Sequence, residues 1–133
     1  MLYQKKRGQS SGCSLFLLEA YRGVLRINFN GSGAMQTGWQ SIGGKWYYFA
    51  SGGAMTTGWQ SIGGKWYYFT SSGAMATGWQ TIGGKYYYFE SSGVMAANKW
   101  VGNYYLTSSG VMATNTWIGN YYVDGTGKWV RSR

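Results

Sequence analysis

Residues 33–52 read GAMQTGWQSIGGKWYYFASG, residues 53–72 read GAMTTGWQSIGGKWYYFTSS, and residues 73–92 read GAMATGWQTIGGKYYYFESS. This strict twenty-residue period decides the fold, because a unit of that length cannot bury its own apolar face and is stable only against its neighbours. In each unit a Gly-Gly pair separates two short runs rich in aromatic and β-branched residues, the signature of a hairpin with a tight turn. With Gly43-Gly44 as the turn, pairing outward sets Ile42 against Lys45, Ser41 against Trp46, Gln40 against Tyr47 and Trp39 against Tyr48. Side chains alternate along a strand, so Trp39, Ser41, Trp46 and Tyr48 share one face, and Gln40, Ile42, Tyr47 and Phe49 share or border the other.

Two shorter units follow. Residues 93–109 read GVMAANKWVGNYYLTSS, and the unit 110–130 begins GVMATNTWIGNYYVDGTG before the chain ends in KWVRSR. Their turns fall at Gly102-Asn103 and Gly119-Asn120, which sets Trp100 against Tyr105 and recreates the pairing of Trp39 with Tyr48. Deleting two cross-strand pairs from the period and inserting one residue between Met95 and Trp100 accounts for the seventeen-residue spacing of Gly93 and Gly110. Nothing within the short units replaces Trp46. Trp100 and Trp117 therefore stand in hairpins that lack a second wall.

The linkers, residues 50–57 and their equivalents, carry Ser, Gly and one Met each and suit open turns between hairpins. An isolated two-stranded hairpin is marginal in water. Stability must then come from stacking, with the Tyr47 and Phe49 side and the Met55-type side chains buried at roughly 1.5 to 3 kcal/mol apiece. The expected fold is all-β, a solenoid of stacked β-hairpin repeats over residues 29–133. Upstream, FNGSGAM at 29–35 matches the end of a repeat such as FASGGAM, but Leu25, Arg26, Ile27 and Asn28 stand where KWYY belongs. Residues 1–28 are expected to be a poorly ordered lead-in or the remnant of a decayed repeat.

Composition narrows the chemistry. Among 133 residues there are 23 Gly, no His, one Cys (Cys13) and three acids (Glu19, Glu90 and Asp124). A His or Cys metal site, a Ser/His/Asp triad and a Cys/His pair cannot be assembled from these. A paired-carboxylate glycosidase site would require Glu90 and Asp124, the only acids in the repeats. No cofactor is implied. The net charge of +9 is concentrated at the ends, in Lys5, Lys6, Arg7, Arg22 and Arg26 and in Lys128, Arg131 and Arg133. Between them stand only Lys45, Lys65, Lys85 and Lys99, too thin a stripe to track nucleic-acid phosphates.

No stretch approaches the roughly 18 to 20 apolar residues that a membrane-spanning helix needs. The basic Lys5, Lys6 and Arg7 ahead of Ser14 to Leu18 mimic a signal peptide, but that apolar run is shorter than an h-region of about 7 to 15 residues and meets Glu19. It reads as no functional signal, or as a remnant of one. One cysteine cannot form an internal disulfide and gives no redox information.

Units carrying GWQSIGGKWYYF followed by SGGAMTTGW closely resemble the choline-binding, or cell-wall-binding, repeats of Gram-positive surface proteins and of phage and bacterial lysins; related repeats occur in glucan-binding regions of glucosyltransferases and in clostridial toxins. The resemblance runs from residue 33 to about residue 130. It implies ligand sites between consecutive hairpins, each walled by the GW tryptophan and the first aromatic of WYY from one hairpin and the second tyrosine of WYY from the next. On this sequence the first site would use Trp39, Trp46 and Tyr68, the second Trp59, Trp66 and Tyr88, and the third Trp79, Tyr86 and Tyr105. Met55, Met75 and Met95 from the connecting turns would close them.

The implied function is a non-catalytic module that binds choline on teichoic acids through these cages, on a secreted or surface protein held non-covalently to the wall. A catalytic domain lost upstream is compatible with this reading. The bland alternative for the same rings is a packed core, which fits Tyr47, Tyr67, Tyr87, Phe49, Phe69 and Phe89 better than the tryptophans. The competing functional reading is a carbohydrate-binding module for a glucan, cell-wall polysaccharide or host glycan, with the rings stacked on sugar faces. It would need polar side chains beside the rings, whereas Gln40, Gln60 and Gln80 fall on the opposite strand face. A purely structural spacer is the third.

Overall fold

The structure is a computed structural model that describes the backbone of residues 3–10, 13–20, 23–30, 32 and 34–133, and the side chains of residue 32 and residues 34–133. Among the described residues every regular element is a strand: β1 (Tyr3–Ser10), β2 (Cys13–Ala20), β3 (Gly23–Asn30), β4 (Met35–Gln36), β5 (Gly38–Ile42), β6 (Lys45–Phe49), β7 (Gly58–Ile62), β8 (Lys65–Phe69), β9 (Gly78–Ile82), β10 (Lys85–Phe89), β11 (Lys99–Val101), β12 (Tyr104–Leu106), β13 (Thr116–Ile118), β14 (Tyr121–Val123) and β15 (Trp129–Ser132). None of them is a helix, so none is a long apolar helix that could cross a membrane. The fold is the expected all-β array of antiparallel hairpins. It divides into two compact units, Met1–Gln60 with Tyr68–Met75 and Ser61–Tyr67 with Ala76–Arg133.

In the first unit the hairpin β5–β6 has the register read from the sequence, with Gly38 opposite Phe49, Trp39 opposite Tyr48, Ser41 opposite Trp46 and Ile42 opposite Lys45. The Gly43-Gly44 turn has φ of +61° and +80°, the left-handed pair that a two-residue hairpin loop matched to strand twist requires. The alternation puts Phe49 and its repeat equivalent Phe69 inside, at 1 % and 0 % exposure. The linker after β6 runs back along it: Phe49 bridges to Met55, and the Thr56 amide and hydroxyl both donate to the Tyr48 carbonyl at 2.9 Å.

Upstream, β1, β2, β3 and β4 form an antiparallel meander. Phe29 opposes Met35 there, the same backbone relation as Phe49 to Met55, so FNGSGAM is the end of a repeat in register as well as in letters. The expectation of a poorly ordered lead-in over residues 1–28 falls on side chains that lie outside the described residues.

In the second unit the five-residue strands of β9–β10 give way to three-residue strands in β11–β12 and β13–β14, with β15 added to the last hairpin. Trp79 opposes Tyr88, Trp100 opposes Tyr105 and Trp117 opposes Tyr122, as the sequence register requires. The inserted residue of each short unit is Asn98 or Asn115, at φ +56° and +50°. They adopt the left-handed conformation that Gly78 (φ +72°) supplies in the longer unit, Lys99 having taken Gly78's place in the pairing, and asparagine tolerates it better than other non-glycine residues. The buried position at the end of each second strand shrinks from Phe89 to Leu106 to Val123, all at 0 % exposure.

Candidate functional site

The alternation that buries Phe89 turns Trp79 and Tyr86 outward on β9 and β10, where they are 40 % and 50 % exposed. Phe49, Phe69 and Phe89 find the core, whereas these rings stay in water at a cost, which marks this face as a working surface. The face borders a cleft of about 790 Å³ walled by Trp79, Lys85, Tyr86, Tyr104, Met112 and Thr114, among others. Tyr88 meets Trp79 edge-on from its own hairpin at 5.2 Å between ring centroids, and Tyr104 of β12 meets it edge-on at 5.5 Å. Met112 arrives on the linker after β12, fixed by its amide donating to the Tyr86 carbonyl at 2.9 Å.

The first unit repeats the theme. Trp39 and Trp46 lie edge-on at 6.3 Å, Tyr48 stands 5.2 Å from Trp39, and Phe69 lies 5.7 Å from it. Trp46 is 47 % exposed, and the Met75 amide donates to its carbonyl at 2.8 Å.

Lys85 and Thr114 line the cleft, while the two carboxylates of the repeats and the strand glutamines are engaged in bonds of their own. Glu90 pairs with Lys99 at 2.8 Å across the surface, worth at most about 1 kcal/mol. The Asp124 carboxylate accepts from the Thr126 hydroxyl and amide and from the Lys128 amide, which holds it below its ordinary value, the Thr126 hydroxyl bond being the largest cause. Gln40, Gln60 and Gln80 each donate from Nε2 to the carbonyl three residues earlier, at 3.1, 3.2 and 2.8 Å, and so brace the start of their strands.

Profiles described as choline-binding repeats match residues 36–77, 56–100 and 94–129. The chain belongs to the choline-binding repeat family. Among solved structures it is similar to choline binding protein F of Streptococcus pneumoniae, at 37 % identity and TM-score 0.60 over 86 % of this chain and 47 % of that one. The same protein in complex with ipratropium, obtained by soaking, matches at 34 % identity and TM-score 0.60 over 96 % of this chain and 48 % of that one. The modular autolysin LytC of Streptococcus pneumoniae matches at 32 % identity and TM-score 0.53, over 81 % of this chain and 31 % of that one. The chain thus spans about half the length of choline binding protein F and under a third of LytC. No curated protein sequence matches it.

Within these choline-binding repeats the structure groups the expected residues differently in two respects. Trp79 and Tyr86 do come together, but the ring facing them from the next hairpin is Tyr104, not Tyr105. Neighbouring residues on a strand point to opposite faces, and Tyr105 is turned to Trp100 of its own hairpin at 5.2 Å. Within their own hairpins Tyr68 meets Trp59 and Tyr88 meets Trp79. The methionines are displaced by one linker. The linker leaving a hairpin reaches back to the hairpin before it, so Met75 bonds at Trp46, Met95 at Trp66 and Met112 at Tyr86.

Met112, absent from the expected set, therefore occupies the place expected of Met95 at the Trp79 cleft. Met55, Met95 and Met112 alike lie against a glycine of the following linker, Gly73, Gly110 and Gly127, where a Cβ would collide with the thioether. Trp66 is 47 % exposed, like Trp46.

A second, smaller cleft of about 330 Å³ lies between Trp100, Tyr121 and Trp129, beside the Gly102-Asn103 turn. At the opposite side of the last hairpin, Arg131 and Arg133 cover Trp117 and Tyr122, with guanidinium carbons 4.3 Å from the Trp117 centroid and 4.7 Å from that of Tyr122.

Proposed function

We propose that the chain is a non-catalytic attachment module that binds the choline groups of a cell-wall polymer, choline-decorated teichoic acid, and so holds its protein non-covalently on the bacterial surface. The Trp79 cleft carries this reading: three rings and a methionine converge on an open space whose described walls include no carboxylate. A trimethylammonium group has a diffuse charge and no N–H to donate, so the negative faces of aromatic rings suit it better than a carboxylate does. Each ring contributes about 0.5 to 2 kcal/mol. Three of them approach the roughly 4 kcal/mol of a millimolar site.

Such a site is weak alone, and repetition is part of the mechanism. Trp39 and Trp46 offer a like face on the first hairpin, and Trp59 and Trp66 belong to a hairpin of the same sequence. Several weak sites meeting a polymer that repeats its ligand gain perhaps 10² to 10⁴ in avidity. The resemblance to choline binding protein F supports the same chemistry, since ipratropium is itself a quaternary ammonium compound. The glutamines bonded to their own backbone count against a sugar site, which would use them on hydroxyls.

The test is retention on a tertiary-amine matrix, with elution by free choline and not by soluble dextran. Tryptophan fluorescence should respond saturably to millimolar choline and stay unchanged with glucose oligomers. The reverse pattern would replace this reading with sugar stacking.

A further inference from the structure

We propose that the linker methionines form a modification site: a ladder of thioethers, each packed on a glycine of the next linker, that hydrogen peroxide converts to sulfoxides and so loosens the repeat array. Met35 lies against Gly53 and Met55 against Gly73 in the first unit, and Met95 against Gly110 and Met112 against Gly127 in the second. At all four the thioether fills the space that a Cβ would take, over a glycine with φ between +87° and +90°. The glycines are buried and the methionines above them are not. Met35 is 44 % exposed, and Met55, Met95 and Met112 are half-buried, so a small oxidant in water has access to them.

Each of these residues is a joint between repeats. The backbone points backward, with the Met95 amide donating to the Trp66 carbonyl and the Met112 amide to the Tyr86 carbonyl, each at 2.9 Å, while the side chain points forward onto the glycine of the following linker. A thioether holds such a surface by shape and dispersion, for which a soft, unbranched chain is suited. The modification needs no cofactor. A sulfur lone pair attacks one peroxide oxygen, the O–O bond breaks, that oxygen becomes the S=O oxygen and the other leaves as water; the sulfur loses two electrons and the peroxide gains them. The product sets a polar, chiral group where the chain has an apolar contact. Its extra oxygen, on a sulfur seated against backbone, must part the two linkers or turn the thioether off the glycine. Met112 also walls the Trp79 cleft, so its oxidation reaches the binding face. The last linker is exempt, because Trp129 opposes Val123 where Met112 opposes Leu106.

The test treats the full chain, its Cys13 alkylated beforehand, with hydrogen peroxide and follows peptide masses, the melting temperature and retention on a tertiary-amine matrix. The expected result is one added oxygen per linker methionine, Met35 reacting before Met55, Met95 and Met112, with the melting temperature and the retention falling as the last three react. Methionine sulfoxide reductase should restore both. A variant combining Met35→Leu, Met55→Leu, Met75→Leu, Met95→Leu and Met112→Leu keeps a similar side-chain volume, and its melting temperature, whatever its starting value, should not respond to peroxide. Full oxidation of Met55, Met95 and Met112 with an unchanged melting temperature would overturn the proposal. So would sulfurs that react only after unfolding in urea, or a peroxide-induced fall in the leucine variant equal to that of the unaltered chain. Only the loss of retention rests on the choline reading above. A chain never retained on the matrix would overturn that reading, while the masses and the melting temperature would still decide this one.

Discussion

The long hairpin β9–β10 and the short hairpin β11–β12 present the same tryptophan to the same kind of cleft and differ in how they complete it. In the long one, the pair Thr81 with Tyr86 extends the strand far enough to set a second ring beside Trp79. In the short one the turn comes immediately after Val101 and Tyr104, and the space where that ring would stand is open. The cleft falls from about 790 to about 330 Å³, and a tryptophan appears on the linker that reaches it. Hairpin length and linker residue are thus two separate means of setting the ring count. The packing beneath changes in step, from Phe89 to Leu106 to Val123.

The largest effect should come from breaking that step in the core. Phe89→Ala would leave a cavity under the long hairpin and should cost about 3 to 5 kcal/mol of unfolding free energy, read from urea denaturation. Leu106→Phe restores the long-hairpin residue beneath a short one and should also destabilise, by about 1 to 3 kcal/mol, because three-residue strands leave no room for the larger ring. If Leu106→Phe stabilised the chain, core size and hairpin length would be independent.

Next in size is the ring that distinguishes the clefts. Tyr86→Ala should weaken choline binding at the Trp79 cleft by about 2- to 30-fold and leave the Trp100 cleft as it was, measured by titration of the individual indole signals. Trp46→Ala should have a similar effect on the first hairpin's face. An equal loss at both second-unit clefts after Tyr86→Ala would mean that the clefts are coupled rather than separate sites.

What the sequence reveals and conceals follows the same division between what lies inside a hairpin and what lies between hairpins. The turns, the pairing of Trp39 with Tyr48 and the seventeen-residue spacing are local, since alternation and a Gly-Gly or Gly-Asn turn fix a register without reference to anything else. The shared outward face of Trp79 and Tyr86 was legible for that reason. Tyr104 in place of Tyr105 was not, because a hairpin's own pattern does not say which of its two faces meets the preceding hairpin. The methionine shift has the same origin: a linker bonds to the strand one hairpin back, a relation that no single repeat contains. Trp129 did leave a signal. Gly127-Lys128-Trp129 aligns with Gly110-Val111-Met112 once the last linker is counted as a linker and not as a tail.

A smaller effect separates the two sides of the last hairpin. Trp117 and Tyr122 already carry cations, the guanidiniums of Arg131 and Arg133, so that face has its ring surfaces occupied from within the chain. Each exposed contact of this kind is worth about 0.5 to 1 kcal/mol. Trp117→Ala should accordingly lower the melting temperature by a few degrees while total choline binding is nearly unchanged. If Trp117→Ala abolished binding and Tyr86→Ala were silent, the assignment of the clefts would be wrong even though the family is right.

The smallest expected effect is a pH dependence confined to one linker. Asp124 occupies the linker position held by Glu90 and Thr107 in the preceding repeats, and its carboxylate gathers the Thr126 hydroxyl and the Thr126 and Lys128 amides immediately before Trp129. Those bonds favour the ionised form and hold the carboxyl below its ordinary value of 3.8, with the Thr126 hydroxyl as the leading cause. A depressed carboxyl contributes its stability in full above the unfolded-state value and loses it as pH falls through the folded-state value, so the linker should loosen only in acid below about pH 3.8. The Met112 linker has no such carboxylate; Thr107 meets Ser109 through hydroxyls at 3.1 Å and does not titrate. Acidification below that value should therefore broaden the Trp129 indole signal and disturb the Trp79 cleft, which Gly125 and Thr126 of the same turn line. Asp124→Asn, which keeps an acceptor oxygen but cannot ionise, should remove that acid step. If the unaltered chain and Asp124→Asn responded alike to acid, the Asp124 turn would not be what holds Trp129 in place.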